Sequence, residues 1–265
     1  MPTFDSPQPI TATVDIAAGA VRLVASDRAD TVVQVRPRDE SRPQDVRAAE
    51  QVRVDFVGGA LSVSSSRGFS FPRRGAVVVD IALPTGSRLH ASVVSAQLSA
   101  DGSFDDCRLA SASGDVTVGS ARGVKVDTAS GDVSVRVAES VSVSTASGDA
   151  AVGEARGEVK FRAASGSLAV GRLEGNLNAQ TASGDVGVAS AVKGAVAVQT
   201  SSGEVSVGIA EGTAAKLDLS TRSGTVRNSL APSDGPADGD EQLVVHAQTA
   251  SGDVIVRRAT DPAAA

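Results

Sequence analysis

The chain of 265 residues has neither Trp nor Tyr, and it holds six Phe, one Met and one Cys. A core without large aromatics must be built from small side chains. Val and Ala dominate here, and β-branched residues fit pleated surfaces. The lone Cys107 excludes an internal disulfide. Lysine is scarce, with only Lys125, Lys160, Lys193 and Lys216, so the positive charge is nearly all Arg. The net charge of −6 leaves no basic footprint for nucleic acid. No run reaches the roughly 18–20 apolar residues of a membrane helix. The opening "MPTFDSPQPI" carries an acid where a secretory leader carries bases, and no apolar segment follows it. The expected compartment is therefore the cytoplasm. No P-loop, nucleophile elbow or Ser-His-Asp arrangement occurs. No cofactor or small-molecule substrate is implied, and the chain is not expected to be an enzyme.

What is present is a repeat. "DTASGDVSV", "STASGDAAV", "QTASGDVGV" and "QTASGDVIV" are four copies of one string. Ser-Gly pairs mark its register at Ser113, Ser130, Ser147, Ser165, Ser183, Ser202, Ser223 and Ser251, with intervals of 17, 17, 18, 18, 19, 21 and 28 residues. Periods of this length indicate stacked repeats. Aligned on the Ser, four columns are apolar: six and four residues before it, three and five after it. Only Asn228 breaks them. Apolar and polar residues alternate within each arm, as in a strand with one buried face. A degenerate repeat marked by Ser95 contributes Leu89, Ala91, Leu98 and Ala100, with Ala96 in place of Gly.

Two folds use this pattern. An antiparallel β-meander would place a hairpin at each Ser-Gly. A parallel β-solenoid would stack each repeat about 4.8 Å above the last. Identical residues in identical positions favour the solenoid, because like side chains then lie directly over one another. The expected fold is all-β: a single-stranded, right-handed parallel β-solenoid (β-helix) of eight to nine coils. Its repeats occupy residues 89–258, and residues 1–88 form an N-terminal β cap over a solenoid end. Candidate strands in the cap include "ITATVDIA" and "GAVRLVAS", and "DESRPQDVRAA" is read as containing a helical turn. The Pro-, Gly- and acid-rich stretch 229–242 is expected to be a flexible insertion, and 259–265 a disordered tail.

The "TASGDV" coils, the opening "FDSPQPITATVDIAAGAVRLVASD" and the "ALPTGSRL" step resemble the bacterial β-strand-repeat proteins of unknown function related to toastrack and putative-adhesin domains. That resemblance spans essentially the whole chain. It implies a β-solenoid-like fold, no established catalytic residues, and relatives in cell-envelope or stress-response settings.

Three features are candidate sites. Asp115, Asp132 and Asp149 follow successive Ser-Gly pairs, and stacked carboxylates could hold Ca²⁺. The loop offers no further acids or Asn, so hydrogen bonding within the turn is their expected role. The outward Lys125, Asp127, Lys160 and Arg162 form a small charged patch, read as a solvated face. The segment "SRGFSFPRRG" brings Phe69 and Phe71 beside Arg67, Arg73 and Arg74. It is either a plug over the solenoid end or a contact loop for protein or anionic lipid. His90 and His246 point outward from distant repeats, and Cys107 belongs to a buried column. The Thr column shares the parity of the buried residues, which argues against an ice-binding face.

The function these features support is a non-enzymatic, adhesin-like scaffold or binding protein that mediates protein interaction or self-assembly. A β-helix carbohydrate-active enzyme is one alternative. The other is an envelope-stress partner docking on membrane proteins or lipid through the Arg/Phe loop.

Overall fold

The computed structural model describes residues 2–65, 75–231, 235–237 and 239–259. They fall into two compact units, Met1–Val133 and Ser134–Ala265.

The first unit contains β1 (Thr3–Asp5), β2 (Thr11–Ser26), β3 (Asp30–Pro37), α1 (Pro43–Glu50), β4 (Arg53–Val57), β5 (Ala60–Ser64), β6 (Val77–Pro84), β7 (Arg88–Ser111) and β8 (Val116–Thr128). The two strands expected at its start run together as β2. The join is Gly19, at φ +125°, where a Cβ would stand 1.8 Å from the Val77 carbonyl oxygen. Only Gly fits that approach. β2 lies parallel between two neighbours. On one side Ala12 and Val14 face Leu61 and Val63 of β5, and Val21 and Leu23 face Val79 and Ile81 of β6. On the other side the same four residues face Leu89, Ala91, Leu98 and Ala100 of β7. "DIAAGAVRLV" is therefore a further copy of the repeat, with Ala18-Gly19 in the Ser-Gly place. Its hydroxyls and acid are gone, which hid it from a search keyed on Ser-Gly.

β7 continues the stack onto β8, with Cys107 over Val124, Leu109 over Val126 and Ser111 over Thr128. At the other side of the unit the pairing turns antiparallel: β4 along β5, β3 along β6, and β1 along β3. The expected helical turn is α1, eight residues long with Pro43 in its first turn, where a missing N–H costs nothing. Buried Asp45 of α1 accepts the Ala76 N–H at 2.9 Å, so its carboxylate is satisfied.

The second unit takes up β9 (Val133–Thr145) from the boundary. It adds β10 (Ala150–Ala155), β11 (Glu158–Ser165), β12 (Leu168–Glu174), β13 (Asn176–Ser183), β14 (Val186–Ser202), β15 (Val205–Ile209), β16 (Thr213–Ser223), β17 (Val226–Asn228), β18 (Glu241–Ser251) and β19 (Val254–Arg258). Every pairing in its registers is parallel. A meander would pair neighbours antiparallel. The chain is all-β, with a many-stranded, parallel, solenoid-like sheet.

The alternation buries one face of each arm. Val141, Val159, Leu177, Val196 and Val245 are buried in one column, and Val152, Val170, Val188, Val207 and Val256 in another. Column volumes are balanced across layers. Phe161, fully buried, sits between Val143 and Ala179, and Leu168 sits between Ala150 and Val186. A large side chain next to small ones keeps interior packing dense without strain.

Stacking order departs from chain order. β14 pairs with β18, with Ser202 over Ser251, and β18 pairs in turn with β16, with Ser251 over Ser223. The last repeat in the chain is thus inserted between the two that precede it. The interval of 28 residues reflects this: the chain must leave β17 and return beneath it. Asn228, the sole break in the apolar columns, lies on the outermost layer and is exposed. In the column three after the marker, Val226 is 42% exposed and Val254, its partner one layer in, is 0% exposed.

That inversion gives a direct test. Val226→Asp should cost less than about 1 kcal/mol, as surface changes do. Val254→Asp should cost more than about 4 kcal/mol, because it buries an unpaired charge. Urea unfolding of both variants decides it. Stacking in chain order would put Val254 outermost and give the reverse result.

Candidate functional site

Of the Thr and Ser two residues before the markers, Ser111, Thr128, Thr145, Thr181, Thr200 and Thr249 point inward and are buried, as their parity requires, and Thr221 on the outer layer is half-buried. In early corners the hydroxyl closes the turn on itself. Thr128 Oγ1 accepts the Gly131 N–H at 3.1 Å, and Thr145 Oγ1 accepts the Gly148 N–H at 2.8 Å. In later corners the Gly N–H passes to the next layer, as from Gly184 to the Ser202 carbonyl at 3.0 Å. The hydroxyl then donates instead, as Thr249 does to the Gly203 and Ser251 carbonyls.

The acid after each Ser-Gly works across layers. Asp115 Oδ1 accepts the Asp132 N–H at 3.1 Å in the first unit. In the second unit Asp149 Oδ1 accepts the Ser167 N–H at 2.8 Å, Asp185 Oδ1 the Glu204 N–H at 2.8 Å, and Asp253 Oδ1 the Thr225 N–H at 2.8 Å. Where the acid is replaced by Ser167, its hydroxyl accepts the Asp185 N–H at 3.2 Å. Each carboxylate satisfies a backbone donor that a parallel layer would otherwise leave open. Among the described residues no group of three or more acid, His or Cys side chains is arranged to hold a metal ion.

The outward charged residues pair along their strands. Lys160 reaches Glu158 at 2.8 Å, Lys125 reaches Asp127 at 3.8 Å, and Arg156 reaches Glu154 at 2.8 Å. Exposed pairs of this kind contribute about 0–1 kcal/mol each. Asp105 lies between Arg122 and Arg88, and its hydrogen bonds to both lower its carboxyl to a pKa of about 2. His246 meets Asp218 at 2.8 Å. Cys107 is fully buried, and burial, followed by the charge of Asp106, pushes its thiol up to about 12. It is a structural side chain, since the thiolate is the reactive form.

One groove, of about 670 Å³, runs along the second unit. Its rungs are the residues three before each marker. Arg162 lies over Gln180, Gln180 over Gln199, Gln199 over Gln248 and Gln248 over Ser220. Arg222 joins the lining beside Ser220. Small residues one before the marker, Ala182, Ser201 and Ala250, open the space between the rungs. Five rungs at the strand spacing make a polar track about 19 Å long. Neither Arg162 nor Arg222 has an ion pair among the described residues. The three Gln share one alignment column, so half of this signal was legible in the sequence. The contact of Gln248 with Gln199 exists only because the last repeat is inserted.

Arg67, Phe69, Phe71, Arg73 and Arg74 lie outside the described residues. So do residues 232–234 and 238 of the 229–242 stretch, and 260–265 of the tail. Among the described residues, no helix is long and apolar enough to cross a membrane.

The Toastrack DUF4097 family model matches residues 13–261. The chain belongs to that family. Among solved structures it is similar to a "putative adhesin" of Parabacteroides distasonis, with 12% identity, 97% of this chain and 95% of that chain covered, and a TM-score of 0.40. It is also similar to a "putative adhesin" of Bacteroides fragilis, with 12% identity, 96% and 95% covered, and a TM-score of 0.40. A third is a "putative lipid binding protein" of Parabacteroides distasonis, with 12% identity, 98% and 96% covered, and a TM-score of 0.38. Among curated proteins no match is found.

Three measurements probe this chemistry. Asp185→Ala should destabilise by about 1 kcal/mol, the value of one such hydrogen bond, and Asp185→Asn by less, because it keeps an acceptor. Millimolar calcium should leave the melting temperature of the parent unchanged; a rise would assign the acid row to metal binding instead. Cys107 should resist a disulfide reagent at pH 8 in the native protein and react stoichiometrically in urea. Rapid labelling of the folded chain would mean that its column is open.

Proposed function

We propose that the chain is a non-enzymatic, adhesin-like binding scaffold that holds an extended, acidic polysaccharide along its groove. The observation that carries this is the in-register row of Arg162, Gln180, Gln199, Gln248 and Ser220, with Arg222 beside its last rung. Amide side chains both donate and accept, which suits sugar hydroxyls. The two arginines suit carboxylates, which a guanidinium binds in a fork. A monosaccharide unit repeats on about the same scale as stacked strands, so successive rungs can meet successive sugars. Rigid spacing lowers the ordering cost of binding, which is how weak polar contacts add up.

The same reading covers the finer architecture. We take the coils to be right-handed and to number more than the eight to nine that the markers give. Thr11–Ser26 and the pair Ala60–Ser64 with Val77–Pro84 supply two more. The strands Thr3–Asp5, Asp30–Pro37 and Arg53–Val57 act as the cap over that end, since antiparallel partners use up the edge groups a solenoid must hide.

Polygalacturonate, with neutral dextran as control, tests the groove by thermophoretic titration. Binding to polygalacturonate is expected, with Arg162→Ala/Arg222→Ala weakening it at least roughly tenfold, the loss of about 1.4 kcal/mol. Failure to bind any acidic polysaccharide would sink the groove reading. Steady release of reducing ends would replace the scaffold with a hydrolase.

A further inference from the structure

We propose that the chain pairs with a second copy of itself along the open edge of β16. Among the described residues the ladder of β16 is with β18 and that of β17 with β19; at the start of β16 the Thr213 carbonyl also accepts Arg258 Nη1 at 3.0 Å. The far edge of this eleven-residue strand therefore carries backbone donors and acceptors with no strand alongside. The core also runs out here. Leu217 and Leu219 are only half-buried, while Val245 and Ala247, their counterparts on β18, are 0% exposed. One more strand would complete both the ladder and the burial.

The sequence of the edge selects the occupant. Ala215-Lys216-Leu217-Asp218-Leu219 is complementary to itself when two copies run antiparallel about Leu217. Lys216 then faces the second copy's Asp218, and Asp218 faces its Lys216. On the inner face Leu217 meets Leu217 and Leu219 meets Ala215, while Thr221 meets Thr213. Lys216 has no carboxylate partner among the described residues, whereas Lys125, Lys160 and Lys193 all have one. Asp218 holds His246 through Oδ2 and keeps Oδ1 as an acceptor for a lysine. A lone lysine on an edge strand usually discourages pairing. With Asp218 two residues along on the same face, it discourages only the wrong registers. Parallel in-register pairing would set Lys on Lys and Asp on Asp, and like charges directly opposite destabilise a sheet. An antiparallel register about Ser220 would pair Asp218 with Arg222, but it sets Leu217 against Ser223 and Lys216 against Gly224.

The inference rests on the scaffold reading of the chain but uses none of the groove arginines or glutamines. Sedimentation equilibrium of the full chain from roughly 1 μM to 1 mM should show a concentration-dependent dimer. Lys216→Asp, an exposed change that leaves the fold intact, should weaken it roughly tenfold by setting acids opposite acids. Lys216→Asp combined with Asp218→Lys should restore it. Leu217→Cys should oxidise to a covalent dimer, and Ser220→Cys should not. A chain that stays monomeric throughout, a dimer indifferent to Lys216→Asp, or cross-linking at Ser220 in place of Leu217 would each overturn the proposal. Polygalacturonate binding is measured on the same samples: its failure alone condemns the groove, and loss of the dimer alone condemns the edge.

Discussion

The whole arrangement depends on how closely one corner lies over the next. A Cβ on Gly131 would stand 2.2 Å from the Gly114 carbonyl oxygen, and one on Gly184 would stand 2.1 Å from that of Gly166. Real Cβ contacts are essentially never that short, so these layers settle onto the last only because their corners lack a side chain; the Ser95 corner, with Ala96 over Gly19, is the exception. Once the corners are seated, the arms on either side fall into parallel register and the Val columns close. The Thr hydroxyls and Asp carboxylates then satisfy the donors and acceptors that the sharp bend leaves over. Gly makes the stack possible, Val supplies most of its stability, and the polar residues remove the cost of the bend.

The same constraint shapes function. Corners held at strand spacing turn any residue type recurring at one offset into a straight row. Most rows here are Ser, Ala or self-paired charges, and they offer a partner little. One row differs, because Gln180, Gln199 and Gln248 meet Arg162 and Arg222 over small residues that leave room for a ligand. The edge strand is the complementary case. Where the stack ends, its rows stop being a surface and become an interface in waiting, and β16 carries charges of both signs in an order that suits its own copy.

The two chain-terminal repeats share a topological feature within their respective units. β2, the first, lies between the β5–β6 layer and β7. β18, in the last, lies between β14 and β16. Both strands are paired on two sides.

The acids, expected to bond within their own turn, accept instead from the backbone of the adjacent layer. The sequence by itself determined the repeat, its buried columns and the inward Thr row. Those are local: they need only the alternation of side chains and the geometry of one corner, both written in each copy. It also contained the β2 repeat, disguised because Ile16, Ala18 and Ala20 stand where the other copies have Thr, Ser and Asp. Only the tertiary structure decided the order of layers. Intervals of 17 to 28 residues say how long each coil is, but not which neighbour a closing strand chooses, because all copies offer nearly the same register. That choice placed Gln248 beside Gln199, put Asn228 and Val226 on the outside, and left Lys216 at an open edge.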